Sequence, residues 1–303
     1  MGRSSSRGQY LIYIGVFVLC FWIYLEFVKQ REGFEEQKKP KGIILELIGG
    51  IGNQLYIYTA GKVMQKSLNV PIFLRLNLDT VFTHTNVDYR PILFSDFEGV
   101  DVNNPMFQDK VDERLQEKFW DPWSPFSLPK TDKYIYLPTQ WYQHLPSIQT
   151  ELLGVRDKVL GILANMYHDT GIDRGSAFIH VRRGDYLNEE NKVHLLHNDY
   201  YLEGLKHLNN KENIKTICVF SDDIGWCMQQ QWESPKQVRY IDEPDELKTL
   251  YMMSLCHEGA VISNSTFSTW GALLGASEKG VVVYPSKWLY GADTAFPSSW
   301  IKI

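Results

Sequence analysis

An arginine pair and an aspartate follow directly after a short apolar run in this sequence. The run Ala177 to Val181 is predicted to be a buried strand, so Arg182, Arg183 and Asp185 fall at its carboxyl end, where open α/β sheets bind their ligands. Guanidinium groups suit phosphate oxygens because they are planar and permanently charged, and Asp185 is placed to orient one of them. The pattern predicts an anion site, although a solvated cluster of ion pairs would use the same residue types.

Two further predicted strands end in polar residues. Ser221-Asp222-Asp223 follows one strand, and Asn264-Ser265-Thr266 follows another and leads into a helix. A helix that begins there presents free backbone N–H groups beside hydroxyls, which favours an anion, and the Asp222 carboxylate matches the paired N–H donors of guanine. Each motif has an alternative, since the first is also a common helix cap and the second is also an N-glycosylation sequon. Together with Arg182 they predict a site for a nucleoside diphosphate.

The elements that must position these residues alternate along the chain. A strand from Gly42 to Ile48, a glycine-rich turn and a helix from Leu55 to Leu68 form a βα unit, and Val70–Arg75 is the next predicted strand. From Asn77 to Gln149 prolines and aromatic residues interrupt the pattern, which is typical of a region that carries a substrate groove. A helix over Leu152–Tyr167 is expected to connect two lobes. Beyond it, predicted strands at 177–181, 215–220, 238–241, 259–262 and 280–284 alternate with predicted helices at 199–208, 224–231, 245–256 and 265–275, which indicates a mainly parallel sheet.

Composition excludes several classes of protein. With 303 residues, 44% of them hydrophobic, the chain can bury a sizeable core and is neither fibrous nor disordered. The net charge of -5 argues against a nucleic-acid partner. Cys218, Cys227 and Cys256 allow at most one internal disulfide and lack the spacing of a zinc site; the pairing stays open.

The N-terminal region contains one long apolar segment. Tyr10 to Leu25 is unbroken, and the three residues to Val28 extend it to about the minimum length that crosses a thin bilayer. Arg3 and Arg7 precede it without acidic residues, which favours an N-terminus in the cytoplasm. A cleaved signal peptide is the alternative, but no small-residue cleavage pattern follows. We therefore predict a cytoplasmic tail over 1–9, an uncleaved transmembrane helix over 10–28 and a polar stem over 29–41, with the folded part in the secretory lumen.

Four motifs, taken in order, resemble those of the α-1,2-fucosyltransferases, glycosyltransferase family eleven. They span the chain from Gly42 to Tyr284, and Thr269 stands where bacterial-type members often have a second tryptophan. The motifs are Gly49-Gly50-Ile51-Gly52-Asn53-Gln54-Leu55, His180-Val181-Arg182-Arg183-Gly184-Asp185-Tyr186, Phe220-Ser221-Asp222-Asp223 and Ser263-Asn264-Ser265-Thr266-Phe267-Ser268-Thr269-Trp270-Gly271-Ala272.

The resemblance implies a GT-B architecture, with two Rossmann-like lobes and a donor cleft between them. The lobes are expected over 42–168, on the acceptor side, and 169–303, which would bind the donor. It also implies GDP-fucose as donor, inversion at the anomeric carbon and no metal. Taken with the predicted membrane segment, we expect a Golgi membrane location with the catalytic part in the lumen. The expected acceptor is O2 of a terminal galactose in a glycan.

The resemblance further implies roles for single residues. Arg182 matches the arginine on the donor β-phosphate, Arg183 would support its loop, and His180 and Asp222 match positions that hold guanine. Asn53 is expected to face the pyrophosphate from the first lobe. The remaining donor-site candidates are Gly52, Ser221, Asn264, Ser265 and Thr266.

Two questions stay open at this level. The base that takes the acceptor's proton is not identified: Asp185 and Glu46 are candidates, and Asp185 is better suited to holding Arg182 or Arg183. A membrane-anchored glycan-binding protein without turnover is the alternative function, and intact Arg182 and Asp222 favour the enzyme.

Overall fold

The computed structural model describes residues 22, 39–76, 87–112, 131–137, 141–188, 194–277, 279–288 and 295–303. The predicted tail and, except for Trp22, the predicted membrane helix lie outside these residues, as does the stem up to residue 38. Of the helices within the described ranges, none combines the length and apolar character that a membrane crossing needs.

The first lobe is built on a five-stranded sheet in which every pairing is parallel. Its strands, in spatial order, are β3 (Glu98–Gly99), β2 (Ile72–Leu76), β1 (Gly42–Leu47), β5 (Tyr134–Leu137) and β4 (Lys110–Asp112). Helix α1 (Ile51–Leu68) follows β1, the short α2 is Arg90–Leu93, and α3 is Leu145–Met166. A 3-10 turn at Pro105–Phe107 precedes β4.

The first-lobe elements differ from the sequence prediction in two helix starts. Helix α1 begins at Ile51, so Gly52 and Asn53 lie in its first turn, whereas we expected them in a turn before the helix. Helix α3 begins at Leu145 because Pro146 occupies its first turn, where the missing N–H costs no hydrogen bond. Strands β3, β4 and β5 lie inside the region that we read as irregular; with four residues or fewer, they are too short to show periodicity.

The second lobe contains six strands, again all parallel. Their order is β11 (Ile301–Lys302), β10 (Val281–Tyr284), β9 (Gly259–Val261), β6 (Ser176–Val181), β7 (Thr216–Ser221) and β8 (Gln237–Ile241). The helices are α4 (Asn198–Asn209), α5 (Ile224–Gln229), α6 (Glu246–Ser254) and α7 (Thr266–Gly275). The alternation read from the sequence is confirmed; only the two-residue β11 was missed. Cys218, Cys227 and Cys256 are buried free thiols.

The two lobes touch where helices α1 and α7 begin. A Cβ on Gly52 would lie 2.5 Å from the Thr266 carbonyl carbon and 2.6 Å from the Phe267 nitrogen, so only glycine fits at this contact. Deeper in the same interface, the rings of Tyr56 and Trp270 meet edge to face with centroids 5.4 Å apart. The helix N-termini are therefore held together by direct backbone contact and by aromatic packing between the lobes.

An ionic cluster joins α1, α3 and the turn after α2. The Asp96 carboxylate accepts hydrogen bonds from Tyr58 at 2.8 and 2.9 Å, from Lys62 at 3.1 Å and from Lys158 at 2.7 Å. Burial alone would raise the pKa of Asp96, but the bonds from Lys158, Tyr58 and Lys62 outweigh it and hold that pKa at about 2. The carboxylate is 37% exposed, so solvent screens part of the attraction.

We expect Asp96→Asn to lower the melting temperature near neutral pH. The pKa of Asp96 in the folded protein lies below the value of about 3.9 for an unfolded chain, so its contribution is complete above that value and is lost as the pH falls towards 2. The difference in melting temperature between wild type and variant should therefore shrink over this range. Thermal unfolding followed by circular dichroism at several pH values measures it.

Glu203→Gln is the matched control, because Glu203 forms an exposed ion pair with Lys206 on α4 and should change the melting temperature little. If the difference in melting temperature between wild type and Asp96→Asn stays constant from neutral pH to pH 2, the cluster does not act through the charge of Asp96.

Candidate functional site

Strand register brings the predicted site residues to one edge of the second sheet. Val181 of β6 pairs with Ser221 of β7, so the next residues, Arg182 and Asp222, stand at adjacent strand ends. On the other side of β6, Ile179 pairs with Val261 of β9, which places the residues after β9 beside His180. The three polar strand ends are therefore neighbours, as the sequence predicted.

Arg182 is held between two carboxylates. Its guanidinium lies 2.7 Å from Asp185 Oδ1 and 2.9 Å from Asp222 Oδ2, and its side chain is 26% exposed. The ring of Tyr186 lies beneath it, with 5.5 Å from Cζ to the ring centroid. The two carboxylates and the ring hold the planar Arg182 guanidinium in place, and part of the side chain remains exposed to solvent.

Arg183 points away from Arg182 and braces the loop. Its backbone N–H donates to Asp222 Oδ1 at 2.8 Å, and its Nε donates to Asp223 Oδ2 at 3.2 Å. Its guanidinium stacks over the Trp226 ring at 4.1 Å. Asp223 also caps α5 by accepting from the Trp226 N–H, and the hydroxyl of Ser221 accepts from the Asp223 N–H. Arg183 thus makes the supporting contacts that the sequence led us to expect.

His180 is buried and neutral. It faces the α7 side of the sheet, where its Nδ1 lies 2.9 Å from Ser263 Oγ and its ring packs on Phe267 at 5.6 Å between centroids. Burial, with a smaller contribution from the Arg182 charge, lowers the pKa of His180 to about 3. The imidazole therefore carries no charge at physiological pH and can act only as a neutral hydrogen-bonding group.

Asn53 connects the lobes across the start of α7. Its Oδ1 accepts from Thr266 Oγ1 at 2.9 Å and from Gln143 Nε2 at 2.8 Å. Ser265 caps α7, its Oγ accepting from the Phe267 N–H at 3.3 Å. The first turns of α1 and α7 leave N–H groups without partners inside their helices, and each helix adds about half a positive elementary charge there. Their meeting point is suited to an anion.

The structure argues against Glu46 as the catalytic base. Its carboxylate is 3% exposed, on the face of the sheet away from α1. It accepts from Tyr136 at 3.1 Å and lies 3.4 Å from Arg75. Because this carboxylate is buried and already paired, it is not placed to receive a proton from an acceptor hydroxyl in the cleft between the lobes. Asp185 is more accessible, and its carboxylate is paired with Arg182 at 2.7 Å.

Several residues of the site were missed or underrated in the sequence. Tyr186 donates to the Asn264 carbonyl at 2.9 Å. Ser263 contacts His180, and Trp226 stacks against Arg183. Gln143 reaches the site from a segment far from the glycine-rich motif. Only Tyr186 and Ser263 lay within quoted motifs; for Gln143 and Trp226 no local signal existed.

Among the described residues, no group of three or more histidine, cysteine or acidic side chains lies in an arrangement that could hold a metal ion. Independence from metals stays a prediction.

We expect the sequon at Asn264 to remain unglycosylated when the chain is secreted from a eukaryotic cell. Asn264 is 2% exposed, and its Nδ2 donates to the carbonyls of His194 at 2.8 Å and Trp288 at 3.1 Å, so the nitrogen that would carry a glycan is enclosed. Intact mass spectrometry before and after glycosidase treatment tests this. A mass shift of one N-glycan on folded protein would contradict the burial of this turn.

Comparison with known proteins identifies the family of this chain. The sequence model of glycosyltransferase family 11 matches residues 77–302. An alpha-1,2-colitosyltransferase of Escherichia coli is 23% identical over 86% of this chain and 98% of its own length. The O-antigen biosynthesis glycosyltransferase WbnK, also of Escherichia coli, is 33% identical over 41% of this chain and 43% of its own. The fucosyltransferase NodZ from Bradyrhizobium aligns over 78% of this chain and 94% of its own, with 11% identity and a TM-score of 0.42. Because the family match covers most of the sequence, the chain belongs to glycosyltransferase family 11.

Proposed function

We propose that this glycosyltransferase moves L-fucose from GDP-fucose to a glycan hydroxyl, with O2 of a terminal galactose as the acceptor. The observation that carries the proposal is the placement of Arg182, which is held by two carboxylates and lies over Tyr186, whose hydroxyl donates to the Asn264 carbonyl just before α7. The two parallel-sheet lobes that meet there support the GT-B arrangement, with the donor in the cleft.

The charge arrangement suits a departing diphosphate. A guanidinium has five N–H donors, and the two ion pairs of Arg182 need only two of them, so donors remain for phosphate oxygens. Negative charge grows on the diphosphate as the glycosidic bond breaks, and fixed donors aimed at that charge lower the barrier. The N–H groups of the first turns of α1 and α7 would act on the same charge from the other side.

Asp222 and His180 are proposed to hold the guanine. Each Asp222 oxygen already accepts one bond, from the Arg183 N–H or from Arg182, and each retains a second lone pair for the N–H edge of the base. His180 is neutral, so its second ring nitrogen would contribute a hydrogen bond without adding charge.

We propose a single direct displacement at the anomeric carbon. Such a displacement needs no protein nucleophile and inverts the configuration of that carbon. Asp185 then acts as a positioning residue, because it fixes the Arg182 fork. We also propose that no metal takes part, with Arg182 and the two helix N-termini supplying the positive charge.

The linkage and donor sugar are proposed partly from a relative. The name of the colitosyltransferase gives a 1,2 linkage, and colitose is L-fucose without its 3-hydroxyl. A GDP-linked colitose is therefore the second candidate donor. We further propose that the predicted helix over 10–28 anchors the chain in the Golgi membrane as a type II protein.

We expect Arg182→Ala to reduce transfer by at least about a hundredfold, because removing one donor to a transition-state oxyanion typically costs this much. Arg182→Lys should not restore activity fully, since an ammonium cannot pair with Asp185 and Asp222 and also contact a phosphate in the geometry of a fork. Initial rates of GDP release measure both variants, with circular dichroism to verify folding.

Arg174→Ala is the matched control, because Arg174 is exposed near the opposite end of the same strand β6. An Arg182→Ala enzyme that keeps more than about half of the wild-type turnover would contradict this role, given the size expected for a transition-state contact.

We expect the purified protein to transfer fucose from GDP-fucose to a β-galactoside in excess EDTA, because its proposed charge partners are side chains and backbone N–H groups. The linkage is read by NMR of the product, and GDP-colitose is tested in parallel. Activity that EDTA abolishes and manganese restores would contradict the metal-free proposal. Binding of glycan without turnover of either donor would favour the glycan-binding alternative.

A further inference from the structure

Trp141 presents its indole beside the proposed donor site. It is 37% exposed, whereas the next two residues, Tyr142 and Gln143, are 8% and 6% exposed. The change of direction occurs at Tyr142, whose φ of 50° lies in the left-handed region that residues other than glycine rarely adopt. The backbone therefore turns the two following side chains inward and leaves the tryptophan outside.

The exposed ring is close to the point where the lobes meet. A Cβ on Gly49 would lie 3.0 Å from Trp141 Cζ3 and 2.5 Å from Asn53 Nδ2, so both side chains cover this glycine. Asn53 in turn accepts from Thr266 at the start of α7. Gly49 thus lies against both the indole of Trp141 and the side chain of Asn53, which joins the lobes at the proposed diphosphate site.

We propose that Trp141 is the platform on which the acceptor sugar stacks, with the apolar face of a galactopyranose lying against the indole. This inference rests on the proposed function and adds to it the element that would select the acceptor. Trp141 belongs to the first lobe, opposite the arginine and aspartates that would hold the nucleotide, so a ring placed on it approaches the donor sugar from the acceptor side.

The chemistry of galactose fits such a platform. Its axial 4-hydroxyl projects from one face of the ring, and the hydrogens on C3, C4 and C5 form an apolar patch on the other. An exposed indole provides a large flat surface for that patch and loses little conformational freedom on binding. In the 4-epimer, glucose, the hydrogen on C4 lies on the opposite face, so the patch is smaller and the contact weaker.

The test compares Trp141→Ala and Trp141→Phe with wild type, using GDP-fucose and a β-galactoside. We expect Trp141→Ala to raise the KM for the galactoside by about tenfold or more, as truncation of a central aromatic contact does. The KM for GDP-fucose and the slow hydrolysis of GDP-fucose without acceptor should stay unchanged. Trp141→Phe should keep most of the acceptor affinity, and the preference for galactoside over glucoside should fall in Trp141→Ala.

Leu153→Ala is the control, because Leu153 is a more exposed apolar side chain, on α3, and should leave every constant unchanged. An unchanged acceptor KM in Trp141→Ala would overturn the inference, as would a parallel rise in the donor KM, which would mean stacking on the donor or a structural role for the ring.

Failure of the proposed donor would be a separate result. If the wild type transfers nothing from GDP-fucose, saturation-transfer NMR of the β-galactoside with the GDP-bound protein decides the inference alone. Binding that Trp141→Ala abolishes supports the platform, and binding that is absent from wild type or unaffected by the substitution overturns it.

Discussion

Two helix N-termini carry partial positive charge of the same sign, and in this protein those of α1 and α7 are in contact. Like charges at such a distance repel, so the arrangement needs compensation. The backbone of Thr266 and Phe267 packs against Gly52, Thr266 donates to Asn53, and the Tyr56 and Trp270 rings pack beneath. An anion bound at the junction would remove the remaining repulsion. The interface between the lobes and the proposed diphosphate site are therefore one structure, and a change at Gly52 would damage both.

The second lobe adds a cation to this junction without adding net positive charge. Arg182 and Arg183 stand beside Asp185, Asp222 and Asp223, and each guanidinium is paired with a carboxylate. The pairs keep the arginines from repelling each other and from adding to the charge of the helix ends. A bound diphosphate would meet a fork whose direction is already set, so little reorganisation is needed when charge develops on it. His180 adds no further cation, because its burial and the nearby Arg182 charge keep its pKa low and the imidazole neutral.

Much of the second lobe could be predicted from sequence, and much of the first could not, for a physical reason. In the second lobe Arg182 and Asp222 follow six-residue strands, the three-residue β9 precedes Ser263, and parallel register carries all three residues to one edge. In the first lobe, strands β3, β4 and β5 have two to four residues and lie in a proline-interrupted stretch without regular alternation with helices, so neither periodicity nor alternation marks them. Gln143 and Trp141 reach the site through an unusual backbone conformation at Tyr142, which no propensity predicts. The glycine-rich motif was recognised, but the sequence did not indicate that Gly52 packs against the backbone of α7.

This difference corresponds to a division of chemical tasks. A nucleoside diphosphate has one fixed pattern of charges and donors, and regular strand ends can present a matching pattern at constant spacing. Acceptor sugars differ mainly in the orientation of single hydroxyls, and a loop that turns one aromatic ring outward can be altered without moving a strand. The conformation at Tyr142 costs free energy locally, and the packing of Tyr142 and Gln143 against the first lobe offsets it. Under the proposed function, acceptor choice in this chain should therefore depend on Trp141, and donor binding on the strand ends of the second sheet.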